Sequence, residues 1–130
     1  MDADSKDMVL GQTPLSWAAE KGHEAVVKLL LARQDVDADS KDMGLGQTPL
    51  SWAAEKGHEA IVKLVLARED VDADLEDMEL GQTPLSWAAK TGHEAVVKLL
   101  LAREDVDADS KDMGFRTPLS WAAERDTRLL

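Results

Sequence analysis

The chain of 130 residues, 44% hydrophobic and 32% charged, can build one compact domain or a short array around a core. Its 15 Lys and Arg against 26 Asp and Glu leave a net charge of −11, which argues against tracking nucleic-acid phosphates or docking on anionic membrane. The lack of Cys excludes disulfides, thiolate metal sites and cysteine nucleophiles, and no apolar stretch is long enough to span a bilayer. The acidic opening residues carry no secretory h-region, so a cytoplasmic, intracellular address is expected.

The run Gly-Gln-Thr-Pro-Leu-Ser-Trp-Ala-Ala begins at Gly11, again at Gly46 and again at Gly81, 35 residues apart each time. A fourth copy, Arg116 to Ala123, arrives one residue early because Gly114-Phe115-Arg116 shortens its lead-in. The single domain 1–130 therefore divides into units 2–36, 37–71 and 72–106 and a truncated unit 107–130. Self-similarity at such a period is the mark of a solenoid, whose units cannot bury their apolar faces alone.

Each unit predicts helix, turn, helix, loop. Thr13 can cap a first helix that Pro14 opens, since proline is tolerated where the N–H has no helical partner. Gly22 ends that helix near Lys21 by supplying a left-handed residue. A second helix is expected from about His23-Glu24 to about Arg33, acidic at its positive end and basic at its negative end. Glu24 and Lys28 stand four apart in the favourable order, as do Glu59 with Lys63 and Glu94 with Lys98. Ala25, Val26, Val27, Leu29, Leu30 and Leu31 take up most of the second helix's circumference, so neighbours on several sides must cover it. The acidic stretch from Asp35 to Met43 then projects as a loop or hairpin finger, with Val36 turned inward. His23, His58 and His93 recur with the unit, too far apart to share a metal, and are expected to be structural at the turn. Trp17, Trp52, Trp87 and Trp121 are expected in the core or between units, each indole N–H with a partner nearby.

Together, Thr-Pro-Leu-Ser-Trp-Ala-Ala-x-x-Gly-His-Glu-Ala-Val-Val-Lys-Leu-Leu-Leu resembles the ankyrin repeat over essentially the whole chain. That resemblance implies an all-α ankyrin-repeat solenoid of helix-turn-helix units with projecting fingers. Ser16, Ser51, Ser86 and Ser120 stand where the family usually has His, and the finger is longer, at Ser40 to Leu45. The Ser-Trp variant and the near-identical copies look like the arrays attached to fungal NACHT-type receptors, and equally like a consensus-designed array. Ankyrin arrays bind other proteins, so the resemblance implies a non-catalytic scaffold without a cofactor, its contact surface the concave side of fingertips and first-helix ends. Carried onto this chain, the partner-binding residues are Ser40, Lys41, Met43, Gly44 and Leu45 in one finger. In the next finger they are Leu75, Glu76, Met78, Glu79 and Leu80. Glu20, Lys21, Glu55, Lys56, Lys90 and Thr91 serve at the helix ends.

Comparing the units supports the same surface. Non-conservative change falls in the finger (Ser5/Ser40/Leu75, Lys6/Lys41/Glu76, Val9/Gly44/Glu79) and at the first-helix end (Glu20/Glu55/Lys90, Lys21/Lys56/Thr91). Drift of exposed positions would leave the same pattern. Unit 72–106 is the most acidic, which points to a basic partner segment, against the alternative of a solvated acidic face that aids solubility. Met8, Met43, Met78 and Met113 could anchor a partner with their adaptable side chains or pack on the neighbouring finger, with Leu10, Leu45, Leu80 and Phe115 beside them.

Nothing asks for catalysis. Asp35, Asp37 and Asp39 match the opening of a calcium loop, but Ser40 and Gly46 stand where it needs Gly and Glu. Ser16 lies outside a nucleophile elbow, and no glycine-rich phosphate loop occurs. The first unit repeats the apolar helices of the inner ones, and after Asp126 the second helix is missing or vestigial, with Leu129 and Leu130 available to cover part of that end. The rival function is therefore self-assembly into a homo-oligomer through uncapped ends.

Overall fold

The computed structural model describes residues 3–6, 11–78, 80–114 and 116–125, with side chains in the last helix through residue 122. Met8, Val9, Leu10, Glu79, Phe115, Leu129 and Leu130 lie outside the described residues, as does any second helix of the last unit. Seven helices follow in order: α1 (Pro14–Lys21), α2 (Glu24–Leu31), α3 (Pro49–Lys56), α4 (Glu59–Leu66), α5 (Pro84–Thr91), α6 (Glu94–Leu101) and α7 (Pro118–Arg125). No strand occurs among the described residues.

The threonine–proline start forms as the sequence predicts. Thr13, Thr48 and Thr83 are extended, and each hydroxyl oxygen accepts the N–H of the serine three residues on, at 3.2 Å in all three copies. Gly22, Gly57 and Gly92 close α1, α3 and α5 with φ of 80°, 75° and 78°. The histidine N–H after each glycine returns to Ala18, Ala53 or Ala88 carbonyl at 2.9 Å, which satisfies a terminal helix acceptor. The second helices end at Leu31, Leu66 and Leu101, two residues earlier than the pattern suggests. There Arg33 N–H reaches back to Leu30 carbonyl at 3.1 Å, tightening the last turn, and the chain swings Val36 into the core at 2% exposure.

The helices form two layers. α1, α3, α5 and α7 stack in one, α2, α4 and α6 in the other, and each first helix also packs on the second helix of its own pair. The first layer contributes Leu15, Leu50 and Leu85 with the Ala-Ala pairs Ala18-Ala19, Ala53-Ala54 and Ala88-Ala89, all buried. These short side chains let neighbouring first helices approach closely, and the larger Val27, Ile61, Val62, Val65, Val96 and Leu100 of the second layer fill the space between layers. The expectation that second helices need cover on several sides holds for the inner pair, where Ile61 and Val65 are fully buried. On α2, with no helix among the described residues on its outer flank, Val26 is 46% and Leu29 73% exposed.

Hydrogen bonds from the loops clip successive pairs together. Asp39 carboxylate accepts Asp72 N–H at 2.9 Å and Asp74 accepts Asp107 N–H at 3.0 Å, while Arg68 donates to Val36 carbonyl at 2.7 Å. Burial pushes the Asp39 and Asp74 carboxyls above their ordinary range, the accepted N–H opposes it, and nearby Asp37, Asp72 and Asp107 add to the rise. Of the aspartates that resemble a calcium loop, Asp39 accepts Asp72 N–H, Asp37 accepts Asp39 N–H and Asp35 pairs with the Arg33 side chain at 2.6 Å.

Candidate functional site

Among the described residues the fingers are not two-stranded ladders, and those of Asp42, Asp77 and Asp112 are loops wound around that one buried aspartate. Asp42, 4% exposed, accepts Gly46 N–H at 2.9 Å and Gln47 N–H at 3.2 Å on one carboxylate oxygen. Its other oxygen accepts the Trp52 indole N–H at 2.8 Å, and its own N–H donates to Gln47 carbonyl at 3.0 Å. Asp77 repeats the arrangement with Leu80 N–H and Trp87, and Asp112 with Gly114 N–H, Arg116 N–H and Trp121. At Asp112, burial alone would raise the carboxyl, but the donors from Arg116, Trp121, Gln82 and Gly114 hold it below the ordinary carboxylate range. The fingers of Asp42, Asp77 and Asp112 are therefore each fixed to the first helix that follows by a charge-assisted bond.

Neighbouring fingers are joined as well. Met78 N–H donates to Leu45 carbonyl at 2.7 Å, and Met113 N–H to Leu80 carbonyl at 2.9 Å. The methionine stems close on the glycine of the preceding finger: a Cβ at Gly46 would collide with the Met78 side chain, and one at Gly11 with Met43. The methionines thus pack on the neighbouring finger, while Met43, Met78 and Met113 are still 75%, 67% and 64% exposed. A row of thioether side chains thus stands on a rigid, hydrogen-bonded ridge.

Along this ridge Gly44, Glu76, Met78 and Leu80 are exposed, while Ser40, Lys41, Leu45 and Leu75 are half-buried. Lys41 carbonyl accepts from Lys6 Nζ at 3.2 Å. At the first-helix ends, Lys21 and Lys56 are exposed, pair with the adjacent Glu20 and Glu55 at 3.7 and 3.5 Å, and lie 5.0 and 5.9 Å from the Trp17 and Trp52 ring centres. Glu20 and Glu55 also accept Gln12 and Gln47 side-chain amides, each at 2.9 Å. Thr91 donates its hydroxyl to Trp87 carbonyl at 2.7 Å within α5. The Gln12–Glu20 and Gln47–Glu55 bonds join the chain just after a finger to the end of the first helix that follows.

The aspartates at the roots of the described fingers, Asp42, Asp77 and Asp112, are not among the columns that vary. Their signal was constancy: Asp7, Asp42, Asp77 and Asp112 recur unchanged while the lysine before them becomes Glu76. The indoles vary with position in the array, from Trp17 at 43% exposure to Trp87 at 8%. His58 and His93 sit against the preceding pair, at Gly22 and Gly57, with His58 Nε2 donating to Glu20 carbonyl at 3.0 Å.

Between the third and fourth fingers a cleft of about 260 Å³ opens beside the ends of α5 and α7. Leu80, Met113 and the Trp121 ring give it apolar walls, and Lys90 and Arg116 bring two positive charges. No helix among the described residues is long and apolar enough to cross a membrane. The sequence matches the family described as "Ankyrin repeats (3 copies)" over residues 1–77 and again over residues 66–129. It matches no curated protein.

Proposed function

This chain belongs to the ankyrin-repeat family, and from that premise we propose that it is a non-catalytic cytoplasmic module that binds another protein through its fingers and first-helix ends. Ankyrin repeats generally mediate protein–protein interaction and are typically non-catalytic. The carrying observation is the ridge itself: fingers bonded to one another and to the first helices, with Met43, Met78 and Met113 left exposed in a row. A preformed surface of this kind loses little entropy on binding, and methionine adapts to an apolar partner side chain. The third finger, with exposed Glu76 in place of Lys41, is matched to a basic stretch of the partner.

Peptides selected on the intact chain from a random-peptide display library test this reading. Glu76→Lys is expected to slow their association and weaken binding by about threefold to tenfold at low salt, with the difference shrinking as salt rises. Basic peptides that bind Glu76→Lys as well as the parent would remove the finger from the contact surface.

Exposed apolar positions at both flanks favour a second reading, stacking of one copy on another. Val26 and Leu29 on α2 and Leu101 on α6 are 46%, 73% and 50% exposed, and Leu119 is 74% exposed where Leu15, Leu50 and Leu85 are buried. In this reading the mass measured by light scattering grows with concentration, and Val26→Lys with Leu29→Lys returns it to the monomer value. A mass that stays at 14.2 kDa across the range rejects it.

A further inference from the structure

We propose that Met43, Met78 and Met113 are oxidation sites through which peroxide switches off partner binding while the array stays folded; this deepens the protein-binding reading above and rests on it. The chain contains five Met and no Cys, so its only sulfur chemistry is that of thioethers. Methionine is ordinarily a core residue. Here the described methionines all stand on the finger ridge, at 75%, 67% and 64% exposure, and none belongs to the core. An oxidant in solution therefore reaches these sulfurs in the native state, with no opening of the fold.

The step is an oxygen transfer from hydrogen peroxide. A thioether lone pair attacks one peroxide oxygen, the O–O bond breaks, and a proton shift releases water as the sulfur keeps the oxygen. The sulfur is oxidised and the peroxide reduced by the same electron pair. The product is a sulfoxide, polar where the thioether was apolar, and sulfoxide reductases restore the thioether. The bonds that make the ridge rigid do not involve sulfur: Met78 N–H donates to Leu45 carbonyl at 2.7 Å, and Met113 N–H to Leu80 carbonyl at 2.9 Å. Where sulfur does touch the next finger, it touches glycine. A Cβ at Gly11 would lie 2.7 Å from Met43 Sδ, and one at Gly46 would lie 2.9 Å from Met78 Sδ. With the glycine on one side and water on the other, an added oxygen takes the solvent side and leaves the seat intact. The effect falls on the partner instead. An apolar side chain packed on the row must strip water from S=O groups to which it offers no hydrogen bond. Glu76 keeps its charge throughout, so the attraction for a basic segment persists.

The test uses the intact chain and the peptides selected on it. Dilute hydrogen peroxide is expected to convert Met43, Met78 and Met113 to sulfoxides, read by peptide mass spectrometry, with the circular dichroism and thermal midpoint unchanged. Peptide binding should weaken about tenfold through faster dissociation, whereas Glu76→Lys acts on association. Sulfoxide reductases acting on both epimers should restore it. The triple variant Met43→Leu, Met78→Leu, Met113→Leu keeps an apolar ridge, the other two methionines and every tryptophan. It is expected to bind within about threefold of the parent and to ignore peroxide. The proposal is overturned, with the protein-binding reading left standing, if the sulfurs resist peroxide until the fold is melted, or if sulfoxides form without weakening binding. Binding that the reductases do not restore, or a triple variant that peroxide inactivates like the parent, overturns it in the same way. A library that yields no peptide for this face overturns both.

Discussion

Asp42→Ala is expected to destabilise the array by about 3–4 kcal/mol, because it leaves two buried backbone N–H groups and an indole N–H without their acceptor. The three donors are those of Gly46, Gln47 and Trp52, at 2.9, 3.2 and 2.8 Å. Asn is not a rescue. It presents one carbonyl oxygen and one NH2 group to three donors, so in either orientation an N–H faces an N–H, and about half of the loss should remain. Urea unfolding followed by circular dichroism reads the difference directly. A second consequence separates this from an ordinary core defect: the finger holds adjacent pairs together, so the two flanks of the array should begin to unfold in separate steps. Asp42→Ala within 0.5 kcal/mol of the parent, inside the ordinary range of surface substitutions, would mean that the finger is not anchored by its aspartate.

Gly57→Ala is the other substitution expected to be severe, at about 2–4 kcal/mol from two separate causes. The backbone there has φ of 75°, which an L side chain adopts at a cost. An added Cβ would also stand 2.5 Å from His93 Nδ1 and 2.6 Å from its Cε1, so the ring of the next pair must move. The two causes can be divided by a double-mutant cycle. In the His93→Ala background the steric part disappears and Gly57→Ala should cost only the backbone part, about 1–2 kcal/mol. Strict additivity of the two changes would show that the histidine is not seated on the glycine. The cycle thus tests why Gly and His recur together: the glycine ends one helix and makes room for the neighbouring repeat's imidazole.

The local steps of this fold were written in the sequence because each is decided by a few adjacent residues. Threonine before proline caps and opens the first helices, and glycine in a left-handed conformation closes them, at the positions the pattern indicates. The period itself announced stacking, since an apolar circumference such as that of α4 has no other way to be buried. Where the reading fell short, the deciding partner lay far along the chain. The early end of the second helices is set by Val36 and Val71 entering the core, and the last aspartate of the run resembling a calcium loop, Asp39, accepts an N–H of the following repeat, as Asp74 does one repeat on.

The candidate face divides in the same way. The columns that vary among copies point to the fingers and first-helix ends, while Lys90 and Arg116 stand in different units, 26 positions apart. Only the stacking of α7 on α5 brings them to the same indole. A repeat sequence by itself determines what each unit is, because helix starts, helix stops and apolar stripes are short-range properties of the chain. What lies between units, including the Asp–Trp anchors, the glycine–histidine seat and the cationic cleft, was decided by tertiary structure, because hydrogen bonds, sterics and Coulomb forces act over ångströms of space rather than over sequence distance.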